Sequence, residues 1–105
     1  MFKVSVMYPY RAEARFDHEY YRDKHMPMVQ RLLGPACAYY TVDKGVSGSE
    51  PGSPPAYVGM CHIFTESLEV FGAAMEKDGK EIFADVPTYT DIEPVLQVSE
   101  VVVGH

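Results

Sequence analysis

Nowhere in the 105 residues is there a run of about 18 apolar residues, the length a membrane-spanning helix needs. There are only two cysteines, Cys37 and Cys61, and their spacing fits neither a zinc pattern nor a dense disulfide framework. Basic residues are scarce: 9 Lys and Arg stand against 15 Asp and Glu, for a formal net charge of -6, and they are scattered along the chain. These shortages argue in turn against a membrane partner, a bound metal and a nucleic-acid partner. A Gly-rich phosphate cradle, a Ser nucleophile elbow and Cys-His dyad spacing are lacking as well. The expectation is a cytoplasmic protein without metal or cofactor, its two thiols reduced and buried.

What is present is ordinary for a compact fold: 47% hydrophobic and 23% charged residues, enough for one core in a single domain spanning 1-105. Phe2 to Tyr8 alternates as a strand does and Pro9 stops it. Asp17 is a candidate N-cap for a helix from about residue 18, with Glu19 in its first turn and Gly34-Pro35 at its end. Pro27 removes a donor inside that helix, which predicts a kink or break near Met26.

Cys37 to Asp43 reads as a second strand, Gly45 to Pro55 as a mobile loop, and Tyr57 to Phe64 as an inner strand. Ser67 is a candidate N-cap for a second helix ending near Lys77, with Leu68, Phe71, Ala74 and Met75 facing inward and Gly79 as punctuation. A turn over Glu81 to Asp85, a loop over Val86 to Pro94 and a Val-rich strand over Val95 to Val103 complete the chain. The order β-α-β-β-α-β describes an α+β, ferredoxin-like fold: a four-stranded antiparallel sheet with two helices on one face. The last strand is apolar on both sides, so the face without helices requires a cover, and a homodimer packed sheet to sheet supplies it.

Tyr21, His25, Met28, Val29 and Leu32 fall on one helical face, which turns an imidazole toward the core beside a tyrosine. The pattern leaves two roles open for His25: a group that moves protons, or a core histidine satisfied by a tyrosine or a carbonyl. His62 shares a strand face with Val58, Met60 and Phe64, the set expected to lie under the helices, which would bring it toward His25. Among the eight tyrosines, Tyr8, Tyr21 and Tyr89 flank loops and suit the wall of a pocket for a small-molecule ligand.

Three segments carry a resemblance to a known family: Phe16 to Pro27, with its Lys24-His25-Met26-Pro27; Pro51 to Tyr57; and Tyr89 to Val101, opening Tyr89-Thr90-Asp91-Ile92-Glu93-Pro94. In these the chain resembles the EthD family, named after a gene cluster for degrading ethyl tert-butyl ether. The resemblance implies a dimeric α+β barrel made from two ferredoxin-like subunits. It also implies kinship with cofactor-free monooxygenases, lactone isomerases and polyketide dehydratases or cyclases, which act on small cyclic or aromatic compounds between sheet and helices. On that basis His25 is the expected acid/base; beside it Tyr8, Tyr21, His62, Tyr89 and Asp91, from their places in the sequence, are the expected pocket residues. Asp91 is equally suited to capping the turn before the last strand. The alternative expectation is a non-catalytic carrier or accessory protein to an oxygenase system.

Overall fold

A computed structural model describes residues 1–104. Four strands, β1 (Phe2–Pro9), β2 (Tyr39–Lys44), β3 (Tyr57–Thr65) and β4 (Val95–Glu100), form one antiparallel sheet in the order β2-β3-β1-β4. Helix α1 covers residues 18–33 and α2 is Leu68–Ala84; both lie on one face, and a short α3 (Val86–Tyr89) leads toward β4. This is the ferredoxin-like α+β arrangement expected from the element order. β3 lies antiparallel between the parallel strands β1 and β2, so each helix is a crossover onto the same face.

Asp17 caps α1 through its side chain, whose Oδ1 accepts from the Tyr20 N–H at 3.1 Å. The helix does not break at Pro27. The helix instead widens one turn earlier into a π turn, Tyr21–His25, and resumes α geometry at Met26–Leu33. In that turn the Met26 N–H bonds back five residues to the Tyr21 carbonyl, directly before the proline, which has no N–H to give. The extra residue brings both His25 and Met26 inward, so the buried stripe reads Tyr21, His25, Met26, Val29 and Leu33, with Met28 and Leu32 only partly covered. Gly34, at φ 54°, ends the helix in a conformation that a side chain would strain.

Ser67 caps α2 by accepting from the Val70 N–H at 3.2 Å. The helix runs through Gly79 to Ala84 rather than stopping near Lys77. Gly79 is buried and closely approached by the Met75 side chain, so packing overrides a glycine cost of about 1 kcal/mol. The 45–56 connection has internal bonds: Gly48 N–H to the Ser53 carbonyl, and Ser53 N–H and Oγ–H to the Glu50 carbonyl.

Val4, Val6 and Tyr8 of β1 and Cys61 and Ile63 of β3 form the floor beneath the helices. The opposite face carries Met7, Tyr39, Met60, Phe64 and Val95, none of which, among the described residues, joins the core under the helices. On the helix side of β4, Leu96 and Val98 remain 49% and 56% exposed, since the two helices do not reach that edge. No helix among the described residues is long and apolar enough to cross a membrane.

Candidate functional site

The π turn delivers the His25 ring to a gap between the sheet and the end of α2. The imidazole is buried, with 5% of its side chain exposed, and Asp85 just after α2 meets it at 2.9 Å between Nδ1 and Oδ2. Bonds from His25 and Tyr20 hold the Asp85 carboxyl below its ordinary value, even though its partial burial pushes the other way. An ionised carboxylate only accepts, so His25 carries its proton on Nδ1 and donates it to Asp85. Burial lowers the imidazole from its usual value and outweighs the attraction of Asp85, which leaves the ring neutral near pH 7 with a lone pair on Nε2.

Next to Nε2 is the Tyr89 hydroxyl at 3.4 Å, and that hydroxyl sits 2.5 Å from the hydroxyl of Tyr8. The difference matters chemically. The short phenol–phenol bond is strong, whereas 3.4 Å is long for an O–H donor, so the Nε2 lone pair is only weakly engaged. Asp85, His25, Tyr89 and Tyr8 thus form one hydrogen-bonded chain ending at β1. Burial pushes the Tyr8 phenol up to about 12 and raises Tyr21 and Tyr89 as well, so all three remain protonated at neutral pH.

Aromatic packing keeps this chain in place. Tyr8, Phe16, Tyr21 and Tyr89 form edge-to-face or tilted pairs with ring centroids 4.9 to 5.9 Å apart. Phe16 lies so close over β3 that a Cβ at Gly59 would meet its Cζ at 2.9 Å, which makes glycine a requirement of the aromatic cluster.

Beside the imidazole is an apolar cavity of about 60 Å³, with Tyr8, Tyr21, His25 and Cys61 on its inner wall. Phe83 and Leu96, 44% and 49% exposed, stand on its outer side, where it reaches the surface. Burial raises the Cys61 thiol to about 11, so it serves as wall rather than nucleophile.

The structure therefore brings Tyr8, Tyr21 and His25 together around one cavity. Tyr89 is wholly enclosed behind that wall and touches His25 and Tyr8 instead of the open space. Asp91 lies outside, its carboxylate accepting from the Arg15 backbone N–H at 3.0 Å and pairing with Arg11 at 3.3 Å, as a turn-organising residue does.

His62 is a correction to the sequence reading. It lies on the face away from the helices, with Nδ1 at 2.7 Å from Ser5 Oγ and Nε2 at 3.2 Å from Asp43. Gly59, Cys61, Ile63 and Thr65 are the β3 residues buried under the helices, because the Phe16 and Tyr21 rings leave room only for small or slender side chains there.

Sequence reasoning missed Asp85, which was read as part of a turn, and the contributions of Met26, Phe83 and Leu96. An acidic residue placed where the second helix ends was the available signal for Asp85, but no local pattern ties it to a histidine 60 residues away.

The sheet order and the two helices on one face define a ferredoxin-like α+β domain. Residues 11–93 match the EthD domain, and the chain belongs to the EthD family. A crystallised EthD-like protein from Ralstonia eutropha JMP134 is 60% identical, the alignment covering 99% of this chain and 94% of that one with a TM-score of 0.96. An EthD family protein from Bacillus halodurans C-125 shares the fold at 21% identity, with coverage of 95% and 97% and a TM-score of 0.72. HapK from Hahella chejuensis does so at 13% identity, with coverage of 100% and 97% and a TM-score of 0.61. An uncharacterized 11.0 kDa protein from the thcB-thcC intergenic region of Rhodococcus erythropolis is 28% identical over an alignment 106 positions long, which covers 91% of this chain and 99% of that protein.

Proposed function

We propose that the protein is a cytoplasmic, homodimeric enzyme that needs no cofactor and moves a proton on a small cyclic or aromatic compound, as an oxygenase, isomerase or dehydratase/cyclase does. One observation carries this reading: the His25 imidazole, fixed by Asp85 through Nδ1–H and only loosely engaged at Nε2 by the Tyr89 hydroxyl at 3.4 Å, lines an apolar cavity. Nε2 takes the substrate proton, Asp85 stabilises the imidazolium that forms, and His25 reprotonates the carbon after the proton it holds has exchanged with solvent. The low polarity of the cavity strengthens that charge pairing. Tyr8 and Tyr21 shape the apolar wall, and the Tyr8 hydroxyl can donate to a substrate oxygen as negative charge develops there.

The test is deuterium exchange at the carbon next to the carbonyl of 2-tetralone and of cyclohexanone in D₂O, followed by NMR. Wild-type protein should catalyse exchange, and His25→Asn should lose about a hundredfold or more of that rate, the scale of a lost general base. Exchange at the buffer rate, or equal rates for both proteins, would refute the reading.

A second reading, a non-catalytic carrier or accessory protein to an oxygenase system, draws on the nearly all-apolar cavity and on the intergenic origin of the Rhodococcus relative. It predicts ligand binding without exchange.

A further inference from the structure

Outside the cavity lies an open depression of about 450 Å³, lined by Arg15, Thr90, Asp91, Ile92 and Glu93 together with Phe83 and Val86. Phe83 and Val86 also line the inner cavity, so these two side chains form the partition between the spaces. The two compartments differ in character. The inner wall is apolar apart from His25 and the phenols, whereas the outer one adds the polar side chains of Arg15, Thr90, Asp91 and Glu93 to a surface that is itself mainly apolar, Pro87 and Pro94 included. Most of the outer charge is already engaged: Arg15 donates to the Pro87 and Thr88 carbonyls at 2.7 and 2.9 Å, and Asp91 pairs with Arg11.

The geometry points to a single ligand site in two compartments with Phe83 as the door between them, taking an apolar ring inside and an uncharged, hydrogen-bonding substituent outside. This rests on the cavity being the functional site and adds a specificity-determining residue and a ligand class. Size supplies the argument for a door. A ring of benzene size occupies a cavity of about 150 Å³, so the inner space of about 60 Å³ is too small at rest. Room must come from a side chain that can move. Phe83, at the last turn of α2 and 44% exposed, is the partition residue with solvent to swing into; Tyr8 and Tyr21 are locked in the aromatic cluster.

The probe is 2-phenylethanol, titrated against isotope-labelled protein and read from the Met75, Ile63 and Ile92 methyl signals. Intermolecular NOEs should run from the ring protons to Met75 and Ile63, and from the hydroxyl-bearing carbon to Ile92. Phe83→Ala should raise affinity about tenfold, and Phe83→Leu should raise it less; the exposed position lets both variants fold, which their melting curves check. Affinities within twofold of wild type, or both ends of the probe contacting one compartment, would overturn the inference. Because only binding is read, these results stand apart from the exchange assay: a door without proton transfer sinks the enzyme reading alone, and proton transfer without a door sinks this one. If the probe shifts none of the three methyls in any variant, the cavity is not a ring site and the inference falls.

Discussion

Removing the Asp85 carboxylate is the sharpest test of the site, because it strips a buried group of its partner without touching the cavity. In Asp85→Ala the His25 Nδ1–H, bonded at 2.9 Å and 5% exposed as a side chain, has nothing to donate to. A buried donor left in that state costs about 1–3 kcal/mol. Tyr20 also loses its 2.9 Å bond, but its half-buried hydroxyl can turn to water and adds little. The expected loss is about 2–3 kcal/mol. Unfolding entropy for 105 residues is about 0.2 kcal/mol/K, so Tm should fall by about 10 °C. Asp85→Asn keeps an oxygen for Nδ1–H and should cost about 1 kcal/mol. Urea denaturation and calorimetry at pH 7.5 and fixed protein concentration measure both, the latter condition being needed because any self-association contributes to stability. Repeating Asp85→Ala in a His25→Phe background isolates the pair, since the orphaned donor is then gone and the cost should shrink below about 1 kcal/mol. An equal cost in both backgrounds would show that the pair does not form in solution.

Further outcomes follow from the same chemistry. Burial holds His25 below its unfolded value of 6.5, so the stability tied to its neutral form is whole above that pH and is lost as pH falls through the lower folded value. Asp85, also depressed, acts in the same direction nearer pH 4. Tm should therefore decline from pH 7 toward pH 5 in wild type and less steeply in His25→Phe; identical slopes would contradict the burial argument. With its thiol pushed up to about 11, Cys61 should react with a disulfide reagent at pH 7.5 about a hundredfold slower in native than in unfolded protein, and prompt labelling would mean the cavity wall opens freely. Sedimentation at micromolar concentration should give a dimer with an interface near or above about 1,600 Å², and Phe64→Lys should break it; a wild-type monomer would refute sheet-to-sheet pairing.

The fold was legible because its signals are local. Asp17 and Ser67 cap the helices named from the sequence, and both accept the expected backbone N–H. Where local signals compete with packing, packing wins. Gly79 reads as a stop, yet it lies buried against Met75 in mid-helix, and Pro27 reads as a kink or break, yet a π turn absorbs it. Neither outcome has a periodicity of its own. Around the π turn the buried stripe keeps Tyr21, His25 and Val29 but takes Met26 and Leu33 in place of the expected Met28 and Leu32.

The misplacement of His62 has a different origin, and it bears on how the protein works. β3 is apolar on both faces, so its alternation fixes the period without fixing the phase, and the bulkier set was assigned to the helices. The reverse holds because the covered side of the sheet is already filled by rings: Phe16 over Gly59 and Tyr21 over Cys61 leave no volume for Met60 or Phe64. Those larger side chains therefore face outward, where Tyr39 stacks on Phe64 at 4.3 Å and the Ser5–His62–Asp43 bonds cross three strands. A sheet that turns its larger apolar residues away from its own helices has invested in a second surface. The inner aromatic cluster and the proposed dimer face are thus two consequences of one packing decision at Gly59. Enlarging that glycine should disturb both together, since a displaced Phe16 would loosen Tyr8 and Tyr21 beside the cavity while shifting the β3 backbone that presents Met60 and His62 on the other side.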